Sequence, residues 1–251
     1  MDAGSGGSLR RAGRTARSVR IAAEGCMMEK VEKLRADLEQ IAQNHGRAAL
    51  ASSFGVEDMV LIDMIARHDL DIEVFTLDTG RLPEETYALM QETKRRYDLS
   101  IEVYFPKAEA VSAYVEENGP NAFYDSVELR KGCCHVRKVE PLKRALSGRG
   151  SWITGMRRQQ SPTRSDLEAG AFDADNGLMK FNPLLEWTEK EVWNYIRMFN
   201  VPYNALHDRG YPSIGCGPCT RAIAKGEDIR AGRWWWEDAL AKECGLHRKK
   251  A

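Results

Sequence analysis

At 251 residues, with 37 Lys and Arg against 37 Asp and Glu, 43% apolar residues and a mean hydropathy of −0.50, the chain is long enough to bury one large core. Zero net charge argues against a protein built to coat a polyanion. Asp63 interrupts the best apolar run, so there is no membrane-span candidate of about 18 apolar residues. Six cysteines are too few for a disulfide scaffold, which leaves a cytoplasmic α/β enzyme.

In chain order, residues 1–27 carry five Arg and two acids among Gly, Ser and Ala and show no apolar period. A disordered extension is expected there, ahead of a single domain over 28–251. Val31, Leu34, Leu38 and Ile41 predict a helix over 28–44. Short apolar runs then alternate with amphipathic stretches. Strands are expected over 47–51, 72–77, 101–105, 152–154 and 178–182, and helices over 56–67 and from Pro83 to about Tyr97. Thr188 and Glu191 form a capping box that opens a further helix. Strands separated by helices imply βαβ units and a mostly parallel, doubly wound sheet. Past Asn200 the pattern dissolves into Gly, Pro and Cys. Charge is segregated as well: residues 54–129 hold 17 acids against six bases, while residues 130–164 hold ten bases against Glu140 alone.

Ligands of an open parallel sheet bind at the carboxyl ends of its strands. Two loops take that position. Ser52-Ser53-Phe54-Gly55-Val56-Glu57-Asp58 has backbone N–H groups and hydroxyls suited to a phosphate, and Leu77-Asp78-Thr79-Gly80-Arg81 follows the next strand. The cysteines form two pairs, Cys133-Cys134 and Cys216-Gly-Pro-Cys219. Four thiolates so paired can hold an iron–sulfur cluster or Zn²⁺, or cycle through a disulfide. The vicinal pair fits a zinc knuckle awkwardly and a cluster, with its several irons, better. Cys244 is crowded by His247, Arg248, Lys249 and Lys250, and cationic neighbours favour the thiolate a nucleophile needs. Cys26 lies in the extension and is incidental. Arginines at 157, 158 and 164, and Arg230 and Arg233 ahead of Trp234-Trp235-Trp236, suit phosphate or sulfate. A compact basic set in a neutral chain fits a small dianion better than nucleic acid.

These motifs together resemble one family, the assimilatory iron–sulfur adenylylsulfate (APS) reductases, relatives of the phosphoadenylylsulfate (PAPS) reductases. The resemblance covers residues 47–247. It rests on Ser-Ser-Phe-Gly, Leu-Asp-Thr-Gly, Lys-Gly-Cys-Cys, Gly-Met-Arg-Arg-x-Gln-Ser, the Cys216/Cys219 pair, Arg-Ala-Gly-Arg-Trp-Trp-Trp and Glu-Cys-Gly-Leu-His, in that order. It implies an adenine-nucleotide α-hydrolase-like α/β fold with an irregular C-terminal cluster-binding segment and a mobile tail from about residue 235. It also implies a 4Fe–4S cluster on Cys133, Cys134, Cys216 and Cys219, and reduction of APS to sulfite and AMP in sulfate assimilation, with electrons from thioredoxin or glutaredoxin. By the same resemblance Lys138 bridges cluster and substrate, Arg157, Arg230 and Arg233 bind the phosphosulfate, and Cys244 with His247 is catalytic. Adenosine is expected along Ser52, Ser53, Phe54, Gly55, Leu77, Asp78, Thr79 and Gly80. A homo-oligomer is compatible with the sequence. The alternatives are a PAPS reductase, an ATP pyrophosphatase of the same superfamily, whose Ser-Gly-Gly-x-Asp loop is replaced here, and a non-enzymatic zinc module.

Overall fold

The computed structural model describes residues 8–161, 164 and 166–237, with side chains from residue 25 onward. The first helix, α1, spans Ser8–Asn44 and so begins ahead of the expected start at Met28. The apolar period registers only the packed portion: Met27 is the first buried side chain described, followed by Val31, Leu34, Leu38 and Ile41.

Next come β1 (Ala48–Ser52), α2 (Val56–Arg67), β2 (Ile72–Leu77), α3 (Glu84–Tyr97) and β3 (Ile101–Tyr104), close to the expected bounds. Three helices follow that the periodicity did not reveal: α4 (Ala108–Asn118), α5 (Val127–Cys134) and α6 (Glu140–Leu146), the last two joined by a π-helical turn, His135–Val139. The chain then forms β4 (Ser151–Ile153), β5 (Gly170–Asp173), β6 (Leu178–Phe181) and α7 (Glu189–Met198). α7 opens on the expected box, with Thr188 Oγ1 accepting from Glu191 N and Glu191 Oε2 accepting from Thr188 N. No described helix is long and apolar enough to cross a membrane.

The six strands lie in the order β3-β2-β1-β4-β6-β5, parallel except at the β5–β6 edge. Successive strand residues face opposite sides, and the register builds two cores accordingly. Leu50, Val74 and Ile153 pack with Leu34 and Leu38 of α1, Met59 and Ile62 of α2 and Val192 and Ile196 of α7. Their neighbours Ala49, Phe75 and Trp152 pack with Leu142, Ala145 and Leu146 of α6 on the other face. The chain leaves β1 toward β2 on one side and later returns to β4 on the other, so the strand order reverses at β1, where a crevice must open at the carboxyl ends.

Three helices are pinned by one carboxylate. Asp63, fully buried on α2, accepts from the Tyr97 hydroxyl at 2.9 Å, the Tyr195 hydroxyl at 2.7 Å and Arg67 Nε at 3.2 Å. Burial first, and the Asp63 charge second, push both phenols well above their ordinary range, so they stay donors. Asp63→Ala strands two buried hydroxyls and should cost about 3 kcal/mol. Urea unfolding measures it, and a loss below about 1 kcal/mol would show that the three helices are held by apolar packing alone.

Candidate active site

The crevice at the switch point is a cavity of about 250 Å³ between the loops that follow β1, β2 and β4, roofed by the segment after α7. Ser52, Ser53, Gly55, Glu57 and Asp58 border it from the first loop, Leu77 and Thr79 from the second, and Thr154, Gly155 and Met156 from the third. Lys138, His207, Arg164, Arg230 and Arg233 add its basic and titratable lining. Gly155 is required by close approach, because a Cβ there would stand 2.5 Å from Asp58 Oδ1.

The first loop is tighter than a simple phosphate cradle. Phe54 takes a left-handed φ of 59° and buries its ring in the core, a strained conformation for a residue with a side chain. That turn aims the Ser53 amide and hydroxyl at Asp58 Oδ2, at 2.7 and 2.8 Å. The chain's own carboxylate therefore takes donors that the sequence reading assigned to a ligand. Burial pushes Asp58 up to about 6, against the pull of the Ser53 donors.

The four cysteines of the two pairs converge. Cys133, Cys134, Cys216 and Cys219 border one small pocket with Arg81, Phe123, Arg130, Arg137, Lys138 and Pro218, and none is in a disulfide. The first pair ends α5, and the π-helical turn that follows carries Arg137 to the Thr79 carbonyl at 2.7 Å. The second pair is fastened to the loop after β2: Thr79 Oγ1 lies 3.3 Å from Cys216 Sγ, and Gly217 N donates to the Arg81 carbonyl at 2.8 Å. Burial pushes the Cys133 thiol up and Cys219 up to about 12, the latter with help from Cys216. Among the described residues, no group of three or more His, Cys, Asp or Glu closes around a single ion. Lys138 borders both this pocket and the main cavity.

The arginines divide. Arg230 and Arg233 border the main cavity, with Arg164, whose Nη1 donates to Gln160 Oε1. Arg157 does not: it is 2% exposed, donates from Nε to Glu57 Oε1 at 2.8 Å and from Nη1 to the Trp187 carbonyl at 3.3 Å, and borders a neighbouring cavity instead. Phe54, Asp78 and Gly80 are set back from the main cavity. Asp78 accepts from Gly80 N and the Tyr87 hydroxyl, each at 2.8 Å, so it shapes the turn. Cys244 and His247 lie outside the described residues.

Two cavity residues, Asp58 and His207, had no individual role in the sequence reading, and Arg164 had one only as a member of a group. Asp58 carried a signal in hindsight, being an acid in the first turn of a helix after a small-residue loop. Arg164 sat inside a basic run already noted. His207, with Nε2 buried and unpartnered, is a lone histidine in an irregular stretch and carried none.

An open parallel sheet, a polar and basic cavity at its switch point and a four-cysteine pocket beside it define a nucleotide-type α/β enzyme with a thiol-lined annex. The phosphoadenosine phosphosulfate reductase domain matches residues 47–222, and the chain belongs to that family. A relative from Allochromatium vinosum, named adenosine 5'-phosphosulfate reductase, is 55% identical over 213 residues, 85% of this chain and 83% of that one. A phosphoadenylyl-sulfate reductase structure from Candida auris superposes with a TM-score of 0.65 at 26% identity, over 76% of this chain and 90% of the other. An NH3-dependent NAD synthetase from Campylobacter jejuni shares the fold alone, with a TM-score of 0.52 at 11% identity over 74% of this chain and 78% of its own. The adenine-nucleotide α-hydrolase-like expectation holds on these grounds.

Asp58 gives the site a pH signature. Its carboxyl ordinarily titrates at 3.8 and here at about 6, so between those values the folded state binds the extra proton. Stability falls as pH rises through that window. The penalty, about 3 kcal/mol at about 1.4 per unit, is absent below it and complete above it. Asp58→Asn should abolish this slope, so that from pH 4 to 7 the wild type loses roughly 2 kcal/mol relative to the variant. Parallel urea-stability curves for the two proteins would refute the shifted carboxyl.

Proposed function

We propose that the chain reduces APS to sulfite and AMP in sulfate assimilation, through a cysteine S-sulfonate and with a dithiol protein of the thioredoxin or glutaredoxin type as reductant. The observation that carries this reading is Lys138, which joins a nucleotide-sized basic cavity to a pocket of four thiols. The name borne by relatives about half identical to this chain supports APS as the substrate.

The donor set fits an iron–sulfur cluster. Four thiols, none of them in a disulfide, share one pocket, and burial pushes Cys133 and Cys219 toward the protonated form unless a cationic group replaces the proton. Cys133, Cys134, Cys216 and Cys219 would each ligate one iron of a 4Fe–4S cluster, which supplies a charged, ordering neighbour to the substrate site. Arg230, Arg233, Lys138 and Arg164 would bind the phosphosulfate oxygens, and charge developing there is stabilised by about 3 kcal/mol per well-placed donor. Arg157, locked to Glu57, would act by holding the β1–α2 loop in place.

In the chemical step the Cys244 thiolate attacks the sulfur of APS, the S–O bond breaks, and AMP leaves with the electron pair. A reductant thiolate then attacks Cys244 Sγ, and sulfite departs with the pair of the S–S bond. The second reductant thiol resolves the mixed disulfide, regenerating Cys244 and leaving the reductant oxidised.

Three measurements test this. Each of Cys133→Ala, Cys134→Ala, Cys216→Ala and Cys219→Ala should lose the cluster and most activity, and full iron content in any one of them would count against the ligand set. Mixed with APS and no reductant, the protein should release AMP once and gain one sulfonate mass on Cys244, while Cys244→Ser keeps its iron, binds APS and forms no adduct. Sulfite release from PAPS in preference to APS, with thioredoxin present, would replace the substrate assignment.

A further inference from the structure

Tyr124 and Trp235 stay 41% and 40% exposed although both rings belong to one packed group. Their centroids lie 6.3 Å apart, and Trp236 fits against both, 4.5 Å from Tyr124 and 4.7 Å from Trp235. Buried Phe123 backs the group, 4.5 Å from Tyr124. The Tyr124 hydroxyl donates to the Pro218 carbonyl at 2.8 Å, which fixes the ring to the turn between Cys216 and Cys219. Among the described residues no other two exposed aromatic side chains pair with one another. Exposed apolar residues scattered singly are ordinary, whereas a preformed patch of them marks a contact.

The patch lies where the chain sets out toward Cys244. Glu237, two residues past Trp235, is 2% exposed and held bidentate by fully buried Arg130. Cys244 comes seven residues later in sequence, and seven residues span at most about 25 Å. A protein that reacts at Cys244 must therefore work within that radius of Glu237. An interface of about 800 Å² per partner is about 32 Å across, wider than the connection is long. Tryptophan and tyrosine carry much of the binding energy in such contacts, and rings already ordered lose little freedom when covered. A second copy of the chain seated here would occupy the very surface around the anchor that a reductant needs.

We propose that the face made by Tyr124 and Trp235, with Trp236 between them, is the docking surface for the dithiol protein that reduces Cys244. The partner it fits carries its reactive thiol on an apolar, uncharged surface, which seats on the two rings. This rests on the reading of a dithiol protein as reductant and adds where that protein docks.

The test compares wild type, Trp235→Ala and Trp235→Phe as full-length, iron-loaded proteins. Sulfite release from APS is followed with thioredoxin varied and, separately, with dithiothreitol, and the single release of AMP is timed without reductant. Trp235→Ala should raise the KM for thioredoxin roughly tenfold. Its iron content, its AMP release and its rate with dithiothreitol should match wild type, and Trp235→Phe should recover most of the lost KM. Should Trp235→Ala lose iron, Trp235→Gln, which keeps a longer side chain against Trp236, is read in its place. An unchanged KM for thioredoxin overturns the proposal. So does AMP release slowed by the same factor, which would give the patch to residues 238–251, or a wild-type oligomer in sedimentation that the substitution dissociates, which would give it to a second copy. If wild type forms its adduct yet neither thioredoxin nor glutaredoxin releases sulfite, the reductant reading itself falls; if they do and only the KM is unmoved, the docking surface alone falls.

Discussion

A guanidinium stays charged at any pH a protein meets, so every one that is buried must be met by acceptors. Arg130, Arg137, Arg149, Arg157, Arg164 and Arg233 are all buried, and all but Arg164, which donates to nearby Gln160, have partners far off in sequence. Arg149 reaches Glu73 and Glu102 at the amino ends of β2 and β3. The others gather around the opposite end of the sheet: Arg157 on Glu57, Arg137 on the Thr79 carbonyl, Arg233 on the Ile214 carbonyl and Arg130 bidentate on Glu237. Each link fixes one loop of the site to another element. Breaking such a pair leaves a buried charge uncompensated, which costs far more than a surface ion pair is worth. The site is thus held by obligatory pairing where regular secondary structure gives out.

This also accounts for the charge segregation along the chain. The acidic excess of residues 54–129 and the basic excess of 130–164 neutralise one another across the fold through Glu57–Arg157, Glu73–Arg149 and Glu102–Arg149. Part of the basic run that suggested an anion site is consumed internally. The cations that border the cavity come from three separate stretches, at Lys138, at Arg164 and at Arg230 with Arg233.

The sheet was legible because each central strand is a compact apolar run between turn signals, α3 because Pro83 marks its start, and α7 because its capping box and periodicity agree. The helices bearing the vicinal cysteines were not. Lys131-Gly132-Cys133-Cys134 breaks the apolar period although it is α-helical, and the π-helical turn that follows it to α6 is one that no spacing rule anticipates. The β5 edge was missed because Gly170-Ala171-Phe172-Asp173 has no alternation and leaves Phe172 65% exposed. At the site, residue type was readable and direction was not. Arg157 and Arg230 look alike in sequence, yet Glu57 captures the first and the second borders the cavity. The Ser53 amide looks available until Asp58 is seen to take it.

The segment after α7 ties the cysteine pocket to the main cavity. Residues 199–237 contain only short turns and a single bridge, Thr220 to Arg233, and their core is the small cluster of Phe123, Cys219 and Trp234 with Cys133 and Cys216 against it. Trp234 lies between the guanidiniums of Arg130 and Arg233, at 4.6 and 4.8 Å from its ring centre. Arg233 in turn fills the space that any side chain at Gly215 would need. The same thiols that face the pocket therefore pack the platform that aims Arg233 at the cavity. A cluster this small buries too little apolar surface to order so long a segment unaided. The segment is also anchored by Val201, buried in the main core with Phe199 and Tyr203 against it, and by the links at Thr79, Arg81 and Glu237. A group held by those thiols would therefore bear on the cavity through Trp234 and Arg233.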